Sequence, residues 1–368
     1  MPSYPSPANR LGIDYLAAAD RMTGPGARYA GPVIDAHTHI HGAQACRIYD
    51  RVRRRFGVVL TYSMTQLPLA AEVRDALGDS IRFIAMPTFM SGDKNDNHRA
   101  GYLRDIEAFG RDFGARMMKV WASPRLRDIL PGGATDVADI DSPWRREHAR
   151  VATGLGMMIM VHVADPDTWF KAKYADGATY GTKEHQYTGL RRMLDLFPVP
   201  WIAAHMGGWP EDLRFLDRLL EAHPNLHIDT SATKWIVREL STHPHEEVLA
   251  FFWKWKGRIL FGTDLVTTED QLSPQKTGLS AMGDLASSPE EAAELYASRH
   301  WALRTMLETD YEGESPIADP DLRMLEPDRY TAMSAPALRG FNLPADLLRS
   351  VYHDASDNLL NRWWREHP

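Results

Sequence analysis

The sequence predicts an α/β protein, a (β/α)8 TIM barrel with N- and C-terminal extensions. Short apolar, β-branched runs alternate with longer stretches of helical periodicity, which favours parallel strands joined by crossover helices. Eight such runs are present, and four of them end in side chains that bind metals well. A barrel places its active site at the C-terminal ends of its strands. An open doubly wound sheet is the alternative, but it would not gather all eight strand ends around one point.

The order of the elements defines the expected domain. The predicted strands are 33–39, 57–62, 81–86, 116–121, 157–163, 201–205, 226–230 and 258–264. The predicted helices between them include 66–78, 100–113, 143–155, 185–196, 211–222 and 245–256. We expect a single domain over residues 1–368, with a barrel core at about 31–300 and a C-terminal helical extension at about 301–368.

Three segments that follow predicted strands are too long to be simple connections: 87–99, 122–142 and 164–184. The first is polar, the second is rich in Asp, Gly and Pro, and the third carries several aromatic residues. We expect all three segments to cover the mouth of the barrel as lids.

The composition limits the class of protein. The chain has 368 residues, 44% of them hydrophobic, so it can bury a large core. A net charge of −7 does not suggest a nucleic-acid partner. Cys46 is the only cysteine, so no intramolecular disulfide can form, and a cytoplasmic location is expected. The sequence has no run of about 18 apolar residues, which argues against a membrane partner. A small-molecule substrate is expected, and the Trp-rich tail is compatible with a homodimer.

Five residues at the ends of predicted strands suit one divalent cation with an open coordination position. His37 and His39 alternate along a strand, so their side chains point the same way and form half of a zinc-type site. His162 follows five apolar residues, and a core histidine is its alternative interpretation. His205 ends another apolar run, as a ligand or as the group that polarises the substrate. Asp264 would bind the metal and accept a proton from water, although an aspartate here could also cap the next helix.

Other polar residues of the strands are expected to support this site. Asp35 lies one layer deeper on the face of His37 and could orient an imidazole. Lys119 must be paired or modified inside a barrel, as an internal ion pair, a contact to a substrate carboxylate or a carbamylated bridge to a second metal. Asp229 is expected to support the site through hydrogen bonds. Trp121 and Trp169 are predicted to line an aromatic pocket.

These motifs together resemble the amidohydrolase superfamily, in the amidohydrolase-2 branch related to aminocarboxymuconate semialdehyde decarboxylase. The resemblance spans roughly 33–361 and rests on Asp35-Ala-His37-Thr-His39, Val161-His162, Ala204-His205-Met-Gly-Gly, Asp229-Thr-Ser-Ala and Phe261-Gly-Thr-Asp264. It implies a (β/α)8 barrel with a mononuclear metal site. By position, the metal ligands would be His37, His39, His162 and Asp264, and His205 would be a catalytic histidine beside the metal-bound water.

The expected activity is metal-dependent hydrolysis. One divalent ion, Zn²⁺ with Mn²⁺ as the alternative, would activate water to attack an ester, lactone or amide carbon. Non-oxidative decarboxylation of an unsaturated or aromatic carboxylic acid needs the same ligands and is the alternative reaction. A non-enzymatic scaffold with a structural metal is the third interpretation, but structural zinc sites are normally closed by four strong ligands.

Overall fold

A computed structural model describes residues 5–89, 93–278 and 282–367. Parallel strands alternate with helices along the chain, so the predicted α/β class is confirmed. The strands are β1 (Val33–His39), β2 (Val58–Ser63), β3 (Ile81–Phe83), β4 (Met117–Trp121), β5 (Met158–His162), β6 (Trp201–Ala203), β7 (Leu226–Asp229), β8 (Ile259–Leu260), β9 (Leu265–Val266), β10 (Glu312–Glu314) and β11 (Ala337–Arg339).

Helices of very different lengths connect these strands. Those of eight residues or more are Tyr15–Thr23, Ala43–Arg55, Leu67–Leu77, Ala100–Phe113, Pro143–Gly154, Lys183–Leu196, Leu213–Ala222, Thr233–Leu240, His245–Lys254 and Pro289–Glu308. Short helical segments occupy Gly78–Ser80, Lys94–Asn97, Leu126–Ile129, Pro131–Ala134, Asp167–Lys171, Gly177–Tyr180, Glu269–Leu272, Gly283–Leu285 and Pro320–Leu325. The last helical run comprises Ala345–Arg349, two π-helical segments at Ser350–Asp354 and Asp357–Asn361, and Arg362–Glu366.

The chain divides into two compact units. The first unit contains the residues up to Ser63, Leu69–Arg82 and Thr230–Leu359, and the second contains Met64–Pro68, Phe83–Asp229 and the residues from Leu360 onward. The prediction of a single domain stays a prediction.

The sheet of the first unit is built around β1, which is buried at every position except His39. β1 pairs in parallel with β2 on one side, where Val33 faces Val58. On its other side it pairs in parallel with β9, where Thr38 faces Leu265. The residues between β8 and β9 also bond to β1, because Ala36 N donates to Phe261 O (2.8 Å) and Asp264 N donates to His37 O (2.8 Å). The chain around Asp264 is thereby fixed against the end of β1.

The second unit contains four consecutive parallel strands in the order β4-β5-β6-β7. Their side chains are almost all buried, as expected of parallel strands that are covered on both faces. At the C-terminal ends, Trp121 of β4 lies directly opposite His162 of β5. The register therefore brings two predicted site residues to the same edge.

The observed elements differ from the predicted ones mainly at strand ends and in the long loops. The predicted strand 258–264 contains only β8, which ends at Leu260, and the chain then turns at Asp264, where φ is +56°. The predicted lid 122–142 has a small buried cluster of its own, formed by Leu126, Leu130 and Val137, and its position over the barrel mouth stays a prediction. Short helices also occur in 87–99 and 164–184, and residues 90–92 of the first of these lie outside the described residues. The C-terminal extension carries the antiparallel pair β10–β11 as well as helices.

Three histidines away from the predicted site are deeply buried. His300 is fully buried and lies 5.3 Å from Phe56 between ring centroids, and neither of its ring nitrogens has a hydrogen-bond partner among the described residues. Burial lowers the pKa of His300 to about 3, of His148 to about 3 and of His98 to about 4. These side chains are therefore neutral in the folded protein across the neutral and mildly acidic range.

We expect the free energy of unfolding to fall as the pH drops from 6.5 towards 4. In the unfolded chain a histidine takes up a proton near pH 6.5, whereas the buried histidine stays neutral. Each buried histidine therefore lowers the free energy of unfolding by about 1.4 kcal/mol for every unit that the pH falls below 6.5. The substitution His300→Leu should make this slope shallower by about that amount. Urea unfolding at pH 6.5, 5.5 and 4.5, in the same metal-free buffer for both proteins, measures the difference. Equal slopes would contradict the assignment of a neutral, buried His300.

Candidate metal centre

Two histidines and one aspartate converge in the first unit. The Nε2 atoms of His37 and His39 lie 3.3 and 3.2 Å from the same oxygen, Oδ1 of Asp264. One potential ligand atom from each residue lies within 4.8 Å of the other two. The His37 side chain is fully buried, while those of His39 and Asp264 are 25% and 28% exposed. The cluster is therefore buried on one side and open on the other.

The local backbone explains how Asp264 reaches the histidines. Its φ of +56° is unusual for a residue with a side chain, and such strain persists only where surrounding contacts impose it. The hydrogen bond from Asp264 N to His37 O is one such contact. The alternative role as a helix cap is wrong, because Thr268 caps the next helical segment, Glu269–Leu272.

A fully buried carboxylate, Asp35, ties β1 to the residues before Asp264. Its Oδ1 accepts hydrogen bonds from His37 N (3.2 Å) and Thr263 N (3.1 Å), and its Oδ2 accepts one from Thr263 Oγ1 (2.7 Å). Burial raises the pKa of Asp35 to about 7, although these hydrogen bonds oppose the shift. These bonds of Asp35 position the backbone at the site, rather than an imidazole as the sequence suggested. Thr263 is a supporting residue that the sequence did not reveal.

The donor set fits a divalent ion of the zinc type. Two ligand atoms bound tetrahedrally to one ion, each at about 2.0–2.1 Å, lie about 3.3–3.4 Å apart. The observed separations of 3.3 and 3.2 Å from Asp264 Oδ1 to the two imidazoles agree with this spacing. Two imidazole nitrogens and one carboxylate oxygen leave room for a further ligand on the exposed side, as catalytic zinc sites do.

The fourth predicted ligand, His162, belongs to the second unit and lies at the end of β5. Its Nε2 is 3.1 Å from Oδ1 of Asp165. Oδ2 of Asp165 accepts hydrogen bonds from Ser123 Oγ (2.5 Å) and Tyr174 OH (2.8 Å). Burial alone would raise the pKa of Asp165, but the nearby His162 and these hydrogen bonds hold it below its ordinary value. The carboxylate is thus ionised and fixed, and it orients the His162 ring.

Ser123, Tyr174 and Asp165 were not predicted to form this network. The only available signal was the spacing of three residues between His162 and Asp165. The alternative interpretation of His162 as a core histidine is not contradicted, since its side chain is only 12% exposed and its ring is bonded to Asp165. Its role as a metal ligand stays a prediction.

His205 is held in a strained turn directly after β6. It has φ +60° and Met206 has φ +49°, so two consecutive non-glycine residues adopt the left-handed conformation. His205 N donates to Oδ1 of Asp229 (2.9 Å), a fully buried carboxylate. The ring of His205 lies 4.9 Å from that of His162 between centroids. Asp229 therefore supports the backbone of the predicted catalytic histidine, and the catalytic role of His205 stays a prediction.

The glycines after His205 are required by this turn. Gly207 has φ +67°, and a Cβ there would lie 2.7 Å from Leu216 Cδ2. Gly208 has φ +81°, and a Cβ there would lie 3.1 Å from Ala164 N. The Ala-His-Met-Gly-Gly sequence is thus explained by close backbone packing as well as by conformation.

The remaining predicted residues also belong to the second unit. Lys119 is 7% exposed on β4, and the three roles weighed for it stay predictions. Trp121 contacts His162 edge-on, with 6.5 Å between ring centroids. Trp169 lies in Asp167–Lys171. The ammonium of Lys173 is 3.2 Å from the centroid of the Trp169 ring. Trp121 is therefore beside a predicted site residue, whereas Trp169 packs within its own loop.

A family model described as Amidohydrolase (Amidohydro_2) matches residues 34–354 of the chain. The protein belongs to the amidohydrolase family. Its fold class is accordingly that of a (β/α)8 barrel, although strand pairing does not close the barrel among the described residues. The family match covers each of the motifs in which the sequence predicts ligands and catalytic residues.

Solved structures with a similar fold share little sequence with this protein. An uncharacterized TIM-barrel protein from Bordetella bronchiseptica is 12% identical, covering 90% of this chain and 99% of its own, with a TM-score of 0.46. A 2,6-dihydroxybenzoate decarboxylase in complex with 2,6-dihydroxybenzoate is 14% identical, covering 72% and 98%, with a TM-score of 0.40. A zinc-bound amidohydrolase from Burkholderia multivorans is 12% identical, covering 89% and 99%, with a TM-score of 0.42. No curated protein matches the chain.

None of the helices within residues 5–89, 93–278 and 282–367 combines the length and the apolar character needed to span a membrane.

Proposed function

We propose that this protein is a metal-dependent hydrolase that cleaves an ester, lactone or amide bond of a small organic substrate. The observation that carries the proposal is the convergence of His37 Nε2 and His39 Nε2 on one carboxylate oxygen of Asp264. This arrangement has the ligand types, the spacing and the open side of a catalytic zinc site.

The three residues would hold one divalent ion, Zn²⁺ in the first instance and Mn²⁺ as the alternative. Such an ion lowers the pKa of water towards neutrality and polarises a carbonyl group. Because the contacts to both imidazoles are made by Oδ1 of Asp264, we assign the acceptance of the proton from the attacking water to Oδ2. The same oxygen would then return the proton to the leaving group.

The surroundings of the three residues keep them in place for this chemistry. Asp35 fixes the backbone of His37 and of Thr263, so the two sides of the site cannot move apart independently. The fully buried His37 anchors one side, while the partly exposed His39 and Asp264 face the side from which a substrate would arrive. Pre-positioned groups of this kind contribute to catalysis because they need no reorganisation during the reaction.

Removal of the metal should abolish activity. We expect the purified protein to hydrolyse at least one member of a panel of p-nitrophenyl esters, δ-lactones and anilides. Dialysis against a strong chelator should eliminate this activity, and Zn²⁺ or Mn²⁺ should restore it. Release of CO₂ from aromatic and unsaturated carboxylic acids, measured on the same protein, tests the alternative decarboxylase. Full hydrolytic activity in protein with undetectable metal would contradict the proposal, and CO₂ release without hydrolysis would replace it with the alternative.

A further inference from the structure

A cavity of about 370 Å³ in the first unit has Asp264 on its wall. It lies among the helices Thr233–Leu240 and Pro289–Glu308 and the residues that follow β8 and β9. Its lining is mainly apolar and includes Trp235, Val266, Leu285 and Ile317. Small-molecule sites have volumes of roughly 300–1,000 Å³. The cavity is therefore suited to a compact organic molecule such as a single substituted ring.

One charged side chain on this wall has no opposite charge. Arg299 Nη1 donates hydrogen bonds to Ser298 Oγ (2.8 Å) and Leu295 O (3.4 Å), and no carboxylate of the described residues pairs with it. Burial lowers the pKa of Arg299 to about 10, so the group is still cationic at neutral pH. Arg299 is partly buried, and a charge that is partly removed from water without a partner is costly, so such charges in proteins are normally paired.

The other cations near this wall are paired. Lys234, which also lines the cavity, is 3.3 Å from Asp319 and 3.4 Å from Asp321. Arg304, on the same helix as Arg299, is bonded to Glu308. Arg299 thus differs from its neighbours, and a bound anion would supply the partner that the protein does not provide.

We propose that this cavity binds the apolar body of a small organic carboxylate and that Arg299 binds the carboxylate group. The inference rests on the proposed function, because it takes Asp264 to be the metal-binding residue at which the reacting bond lies. It restricts the substrate to molecules that carry a negative group separated from the reacting bond by an apolar body. A planar guanidinium suits this role, since it can donate two parallel hydrogen bonds to one carboxylate.

Calorimetric titration of the full-length protein with benzoate and with benzamide tests the inference, because the two probes have nearly the same shape and differ in charge. We expect the wild-type protein to bind benzoate about tenfold more tightly or better, as a charged hydrogen-bonded pair implies. The substitution Arg299→Met should abolish this preference, and Arg299→Lys should retain part of it. The matched control Arg258→Met removes another partly buried arginine of the first unit, outside the cavity lining, and should keep the wild-type preference.

A benzoate preference that survives in Arg299→Met would overturn the inference, as would the absence of benzoate binding to the wild-type protein. If Arg299→Met does not fold, as judged by circular dichroism, Ala318→Phe serves as the second variant, because it fills the cavity from a lining position. Both probes should then bind at least about tenfold more weakly, and unchanged binding would equally overturn the inference.

The metal content of each protein is measured in parallel. One zinc ion per chain with no effect of Arg299→Met on binding would reject the cavity and keep the metal centre. A preference that depends on Arg299 in a protein that binds no zinc would reject the metal centre and keep the cavity as a carboxylate site.

Discussion

The substitution Asp264→Asn is expected to lower the metal content from one ion per chain to near zero and to lower kcat by about 1,000-fold or more. A neutral amide oxygen is a much weaker ligand than a carboxylate, and Asp264 Oδ1 is the atom on which both imidazoles converge. A catalytic metal supplies several kcal/mol of transition-state stabilisation, and each 1.4 kcal/mol or so corresponds to a factor of ten in rate. The backbone should tolerate the change, because asparagine adopts positive φ more readily than most residues.

The metal content of Asp264→Asn is measured by elemental analysis after gel filtration in metal-free buffer, and kcat on the substrate identified in the panel. Asp284→Asn, the same chemical change at an exposed position of the first unit, is the matched control and should behave as wild type. Full metal content together with unchanged kcat in Asp264→Asn would show that this carboxylate is not part of the site.

The substitution His205→Asn is expected to lower kcat by roughly 100- to 10,000-fold while the metal content stays at one ion per chain. The family resemblance makes this histidine a catalytic residue beside the metal-bound water rather than a metal ligand, and the strained turn and the bond from its backbone to Asp229 hold it in place. Asparagine removes the titratable ring but tolerates the left-handed conformation, which a substitution by alanine would strain.

The control for His205→Asn is His185→Asn, which changes an exposed histidine of the same unit and should leave kcat unaltered. Loss of the metal in His205→Asn would reassign the residue as a ligand. Normal kcat with normal metal content would remove His205 from the mechanism altogether.

The parts of the site that follow from strand periodicity were predictable. The observed bounds of β1 are those expected for residues 33–39, and the alternation of side chains along this strand correctly brought His37 and His39 to one carboxylate. Side chains two positions apart on a strand point to the same face, which is why this pair could be placed on one side of β1 from the sequence. Asp264 was also predictable, because it ends an apolar run late in the chain.

The contacts that position these ligands were not predictable, because they join residues far apart in sequence. Asp35 is bonded to Thr263 across 228 positions, and Ser123 is bonded to Asp165 across 42. A sequence shows such residues only as small polar side chains beside a motif. The left-handed conformation of Asp264 and His205 was equally hidden, since neither is a glycine and their strain is imposed by packing and by hydrogen bonds.

The long loops show a different limit of sequence analysis. Residues 122–142 are rich in Asp, Gly and Pro, which is typical of an exposed connection. The side chains of Leu126, Leu130 and Val137 are nevertheless buried and belong to one hydrophobic cluster. Short helices with isolated apolar residues give no clear periodicity, so a local cluster of this kind escapes detection.

Crystals of the zinc-loaded protein, measured at the zinc absorption edge, would test the central claim most directly. We predict one anomalous peak per chain, at about 2.0–2.2 Å from Nε2 of His37, Nε2 of His39 and a carboxylate oxygen of Asp264. Zinc-soaked crystals without a peak at these three residues, or with a peak elsewhere while their atoms have no metal bound, would contradict the claim.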